Sequence, residues 1–146
     1  MEISSYKDLS LKKNSVLFKE NSKGNHIFLV SKGEIITVKK SKGRYYPTGL
    51  HREGDFIGSG IIAGDEYFEN AIARESSVLI PLPIDDIGNV ATKCPGWIRS
   101  LLRTIITRLQ GGVQLMTDQK IMEDLSEYSQ EYSLEDEAAY RRAIEE

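Results

Sequence analysis

The sequence predicts an α+β domain: an antiparallel β-roll of the double-stranded jelly-roll type, flanked by a short N-terminal helix and a long C-terminal helix. Three observations carry this. Residues 16–58 are short apolar runs divided by turns at Gly24, Gly33, Gly43 and Gly54, a turn signal roughly every 8–12 residues. Residues 70–82 resume the strand pattern after a Gly-rich break at Gly58-Ser59-Gly60. From Trp97 to Leu125, Ile98, Leu101, Leu102, Ile105, Ile106, Leu109 and Val113 recur at the spacing of one helical face.

At 146 residues, 40% hydrophobic and 28% charged, the chain is expected to fold as one domain with a helical appendage rather than remain disordered. Residues 1–125 form that domain, long helix included, and residues 126–146 form an acidic tail with room for a short helix. Within the domain, a helix is predicted from Ser4 to Asn14, with Ser5 as its cap, Asp8 three residues on, and Ile3, Tyr6, Leu9 and Leu11 facing the roll. Strands follow over residues 15–18 and 26–31. In residues 34–40, Ile36 and Val38 share one face and Ile35 and Thr37 the other. The next strand, residues 45–50, contains Pro47 and must be an edge or bulged strand. A single helical turn is predicted from Ser59 or Gly60. Strands at residues 70–74 and 77–82 precede a helix opened by Pro83. Gly111-Gly112 predicts a kink or a close helix crossing in the long helix, at roughly 1 kcal/mol per glycine.

Several function classes are disfavoured. The net charge of −3 argues against a nucleic-acid surface. The one basic stretch, Lys39-Lys40-Ser41-Lys42-Gly43-Arg44 followed by Tyr45 and Tyr46, is read as a solvated hairpin tip rather than a site for phosphate and base stacking. With Cys94 alone, neither an internal disulfide nor a multi-cysteine metal site is available. His26 and His51 lie on different segments, and no metal site is expected. Asp85-Asp86 reads as helix capping, and no nucleophile, P-loop or dinucleotide fingerprint occurs, so the chain is not expected to be an enzyme. No run approaches the ~18–20 apolar residues of a membrane span, and the N-terminus lacks signal-peptide features. A cytoplasmic location and no membrane partner are the expectation.

Four sequence features together resemble the cyclic-nucleotide-binding domain of bacterial catabolite activator and protein kinase A regulatory subunits. They are Phe18-Lys19-Glu20 followed by Gly24, the strand pair from Ile27 to Val38 around Gly33, Gly54-Asp55-Phe56-Ile57-Gly58, and Leu79 to Ile87. The resemblance covers about residues 5–110 and implies the roll, the one-turn helix and the long helix. It also implies a ligand pocket at Gly58, Ser59, Gly60, Ile61, Glu69, Asn70, Ala71 and Arg74. In nucleotide-binding members, a Glu after the glycine grips the ribose and an Arg before a Ser/Thr-Ala pair neutralises the cyclic phosphate. Here those positions hold Ser59 and Glu69, the latter followed by Asn70-Ala71. At ~4 Å and an effective dielectric near 20, each sign of charge contributes about 4 kcal/mol, so the change argues against ordinary cyclic AMP or GMP binding. The backbone N–H groups of residues 58–60, and Arg74 or Arg52 from another direction, keep a different anionic ligand open.

The resemblance further implies a homodimer, with Leu102, Ile105, Ile106, Leu109, Val113 and Met116 facing a second copy. Activator relatives carry a helix-turn-helix after the long helix; its absence here predicts no direct DNA binding. The tail holds seven acidic residues against two arginines, with Tyr128, Tyr132 and Tyr140. It has three open fates: docking on an unknown partner protein, folding back into the pocket as a surrogate ligand, or staying solvated.

Overall fold

The computed structural model of the chain describes residues 5–62, 64–118 and 132–146. Leu9 and Leu11 flank Ser10 with a period of two, and they form a strand, β1 (Leu9–Leu11), rather than part of a helix over residues 4–14. The strand pairs Leu9 with Leu79 and Leu11 with Ser77 of β8 (Ser77–Pro83), and both leucines pack on the interior cluster. Ile3 lies outside the described residues. Asn14, at φ 68°, turns the chain into β2 (Val16–Phe18); Asn tolerates this left-handed conformation better than most residues.

The roll is completed by β3 (His26–Lys32), β4 (Ile35–Ser41), β5 (Arg44–His51), β6 (Phe56–Ile57) and β7 (Asn70–Ala73). Two four-stranded antiparallel sheets result, in the orders β1-β8-β3-β6 and β2-β7-β4-β5. Gly33 joins β3 to β4 at φ 90°, and a Cβ there would run into the Ser77 side chain; only glycine fits. Lys42 and Gly43, both at positive φ, make the tight turn between β4 and β5, whose twist matches a hairpin. β5 is a sheet edge, as Pro47 requires, and it is also bulged: Thr37 pairs with Gly49 and Val38 with Pro47, leaving Thr48 extra. Pro81 and Pro83 do not interrupt β8. They pair with Phe28 and His26 of β3, in the part of β8 that β1 does not reach.

A 3-10 turn at Ser59–Ile62 interrupts the strand series, and α1 (Ile84–Ala91) and α2 (Gly96–Asp118) follow β8. α2 runs through Gly111 without interruption, and nothing lies within 4 Å of a Cβ built there. No close helix crossing meets α2 at Gly111. No helix of the described residues is long and apolar enough to cross a membrane.

Between the sheets, Phe18, Ile27, Phe28, Val30, Ile35, Ile57, Leu79 and their neighbours form the interior cluster. A second cluster lies on the outer face of β2-β7-β4-β5, where Ile36, Val38, Tyr45 and Ile72 are covered by Tyr140 and Ile144 of α3 (Leu134–Glu145). The described residues of the acidic tail therefore neither fill the cavity nor stand free in solvent. The chain from Tyr132 onward clamps the outside of the roll; Tyr128 lies outside the described residues. Ser133 caps α3 by accepting from the Asp136 N–H, and Asp136 returns the bond to the Ser133 N–H. Leu134, the first residue of α3, is 75% exposed.

Charge completes the clamp and corrects the reading of the basic hairpin as a solvated tip. Glu137 is buried and accepts from the Arg44 guanidinium at 3.1 Å, the Tyr45 N–H at 3.1 Å and Arg141 at 3.3 Å. Glu145 accepts from Lys40 at 3.4 Å and from the Tyr45 hydroxyl at 3.1 Å. Tyr45 and Tyr46 are buried, so they offer no stacking platform. The Tyr45 hydroxyl is pushed up to about 12 by burial and by its bond to Glu145. Burial raises the Glu137 carboxyl, but the bonds from Arg44 and Tyr45 outweigh this and hold it below its ordinary value.

Glu137→Ala removes the acceptor for three donors and is expected to weaken α3 docking by about 2–3 kcal/mol. Hydrogen exchange of the α3 amides should then accelerate roughly 30- to 150-fold; unchanged protection would contradict the clamp. Because the Glu137 value is depressed on folding, its contribution is present above the ordinary carboxylate range and is lost as pH falls through the lower folded value.

Candidate functional site

The residues that could hold a ligand surround a cavity of about 170 Å³ between the roll and α2. The roll supplies Phe18, Thr37, His51, Phe56, Ile57, Phe68 and Glu69, the 3-10 turn region Gly58, Ser59 and Gly60, and α2 Ile106, Leu109 and Gln110. Alternation along β4 sends Thr37 to the cavity, as Ile36 and Val38 go to the outer cluster. The bulge brings the Thr48 hydroxyl onto Thr37 Oγ1 at 3.0 Å, and His51 Nε2 lies 3.2 Å from the same oxygen. A Cβ on Gly60 would stand 2.7 Å from Gln110 Nε2, which places the end of the Gln110 side chain directly over the turn.

Of the eight residues that the pocket was expected to contain, Gly58, Ser59, Gly60 and Glu69 line the cavity. Ile61 and Ala71 belong to the interior cluster. Asn70 is buried in a separate network: it accepts from the Glu20 N–H at 3.1 Å and donates to Glu20 Oε1 and to the Val38 carbonyl. Arg74 points elsewhere, to Glu34 at 3.0 Å, and Arg52 meets the other oxygen of Glu34 at 2.9 Å. Neither arginine is among the residues lining the cavity, so the charge expected from one of them is not delivered there.

Lys39 brings a positive charge close to the site. Its ammonium donates to Glu20 Oε2 at 3.2 Å and to the Phe68 carbonyl at 2.9 Å, and it stands 3.9 Å from the centre of the Phe68 ring. It attracts Glu69 without lining the cavity. Burial pushes the Glu69 carboxyl up and Glu20 adds to this, while hydrogen bonding with Thr37 and Thr48 and the charge of Lys39 oppose it. Burial also pushes the His51 imidazole down, against a smaller pull from Asp55, which favours the neutral ring. Among the described residues, no group of His, Cys, Asp and Glu is placed to hold a metal ion.

Thr37, Thr48, His51 and Gln110 are site residues that the sequence does not single out. Strand alternation is the available signal for Thr37 and the proline-induced bulge for Thr48; Gln110 depends on how α2 lies, which has no local signal.

Residues 8–94 match the family described as the cyclic nucleotide-binding domain, more than half of the chain. The chain belongs to that family. The Anaerobic regulatory protein of Haemophilus influenzae is 27% identical to this domain over 108 residues, covering 73% of this chain and 42% of that protein. This chain thus spans less than half the length of that curated relative. Among solved structures, the cyclic AMP-bound form of the EAL enzyme Bd1971 superposes with a TM-score of 0.69 at 17% identity, covering 81% of this chain and 32% of that one. The Thermus thermophilus catabolite activator protein gives a TM-score of 0.63 at 18% identity, covering 79% and 55%. At such identities these two establish the fold alone.

Because burial raises the Glu69 value on folding, the domain is penalised once pH exceeds the ordinary carboxylate range, and the penalty is absent below that range. Glu69→Gln should therefore stabilise the domain by on the order of 1 kcal/mol at neutral pH and by nothing near pH ~3.5. Urea unfolding at the two pH values checks this; a destabilised variant at neutral pH would contradict it.

Proposed function

We propose that this chain is a non-catalytic regulatory module of the cyclic-nucleotide-binding family that does not take ordinary cyclic AMP or GMP and acts through protein contacts. The observation that carries the reading is the make-up of the cavity: a half-buried carboxyl, Glu69, faces it, and no Lys or Arg is among its described lining residues. A cyclic phosphate entering there would meet a like charge and lose the bidentate guanidinium partner that such an oxyanion needs.

The contact surface is the outward stripe of α2. Leu102, Ile105 and Leu109 are 48%, 45% and 65% exposed, and Trp97 and Leu101 extend the patch at 66% and 48%. Ile106 is half-buried over the cavity, so of the six residues assigned to a dimer it belongs to the inner side. The side chains of Val113 and Met116 lie outside the described residues. A contiguous apolar patch with a large ring at one end suits burial against a copy of itself.

Isothermal calorimetry with cyclic AMP and cyclic GMP is expected to give no binding tighter than about millimolar, the consequence of losing several kcal/mol at the phosphate. Micromolar affinity for either would overturn the reading. Sedimentation equilibrium should find a dimer, and Leu102→Glu together with Ile105→Glu should return it to monomer without unfolding the roll. A wild-type monomer at every concentration would remove the self-association part.

A further inference from the structure

We infer that the cavity beneath α2 is a receptor for a small planar organic cation, of the amidinium or aromatic-ammonium class, with Glu69 as its counter-ion. The inference rests on the reading above that this cavity has no partner for a cyclic phosphate, and it names what the cavity would take instead.

Pockets for drug-sized ligands usually run to several hundred Å³, and this cavity holds about 170 Å³. A dry cavity of ~150 Å³ accommodates one benzene ring. One ring with a short polar group fits within that volume, and a larger ligand would have to extend out through the open side.

The walls decide polarity. Phe18, Phe56 and Phe68 contribute aromatic surface, and Ile106 and Leu109 close the side made by α2. Aromatic rings accept positive charge at their faces and repel negative charge. One face of Phe68 already carries the Lys39 ammonium. Leu109, 65% exposed, marks where the cavity meets solvent.

Glu69 supplies the charge. A buried carboxylate without a full counter-ion is unstable, and an amidinium presents two parallel N–H donors to both its oxygens. Every element packed around Glu69 bears on its charge. Strand β4 brings the Thr37 hydroxyl and the Lys39 charge, and β5 the Thr48 hydroxyl. His51 of β5 shares the cavity as a neutral imidazole, with Asp55 acting on it. Glu20, from the turn after β2, repels Glu69, while Ser59 and Gln110 are uncharged. Lys39 acts on Glu69 from outside the cavity, its ammonium held by Glu20 Oε2 and the Phe68 carbonyl, so it offsets only part of the charge.

A cation needs Glu69 ionised, so its affinity rises with pH through the raised Glu69 range. Protonation of His51 at low pH acts in the same direction by repelling the cation. An anionic ligand would show the reverse slope for both groups.

The test is calorimetry on the full chain with benzamidine, benzamide and benzoate, three ligands of one shape and different charge, at pH 5.5 and pH 8, with cyclic AMP in the same set. Benzamidine is expected to bind at least tenfold tighter than benzamide, benzoate weakest, and benzamidine tighter at pH 8 than at pH 5.5. Glu69→Gln should abolish the preference for benzamidine while benzamide binding persists, which shows that the variant's cavity is intact. Benzoate binding best, equal affinities for all three, or no binding of benzamidine overturns the inference. If cyclic AMP binds, the proposed function fails with it; if neither cyclic AMP nor benzamidine binds, only the cation receptor fails.

Discussion

A strand whose side chains alternate between two covered faces must satisfy two sets of neighbours at once. Strand β4 does this along nearly its whole length. Ile35 joins the interior cluster and Thr37 the cavity, while Ile36 and Val38 pack beneath Tyr140 and Ile144 of α3. A one-residue slip would exchange these sets, placing Ile36 against Glu69 and Thr37 under the apolar face of α3. The bulge at Thr48 lets an edge strand containing proline follow β4 without such a slip. Cavity, outer clamp and hairpin are thus fixed by the register of one strand.

The buried charges divide according to how fully they are matched. Glu20 receives the Lys39 ammonium, the Lys40 N–H and the Asn70 amide, with Lys39 also bound to the Phe68 carbonyl. Glu137 receives two guanidinium groups and a backbone N–H. In both networks the lone pairs are satisfied, the condition under which a buried ion pair is tolerable. Glu69 differs: hydroxyl groups and the Lys39 charge only partly offset its burial, and its value moves up where that of Glu137 moves down. An acid kept in that state is a poor structural element. That imbalance makes it a candidate for recognition rather than for holding the fold.

Much of the fold is legible in the sequence because strand period and turn chemistry are local. Gly33 and Gly43 at positive φ, Pro47 at an edge, the 3-10 turn after Gly58 and the Ser133 cap all sit where their residue types require. Leu9 and Leu11 read as helix because a three-residue alternation is too short to separate strand from helix without knowing that β8 lies alongside. The basic hairpin misleads for a related reason. Its partners Glu137 and Glu145 are more than ninety residues away in sequence, and no local pattern announces such a pairing. At the site, Glu69 is readable from its place after the glycine turn. Arg74 is not, since its direction is decided by Glu34 across the sheet.

Helix α2 connects the two halves of this picture. Its inner side places Ile106 and Gln110 over the cavity, with Gln110 close against Gly60, and its outer side carries Leu102, Ile105 and Leu109. Leu109 belongs to both, lining the cavity while two-thirds of it faces out. A helix is stiff over this length, so a change in what fills the cavity cannot move Ile106 without also moving the outer stripe, Ile105 and Leu109 included. If the outer stripe self-associates as proposed, occupancy and self-association become two readings of one rigid-body position, and a ligand that favours one position of α2 is favoured in turn by the assembly that holds α2 there.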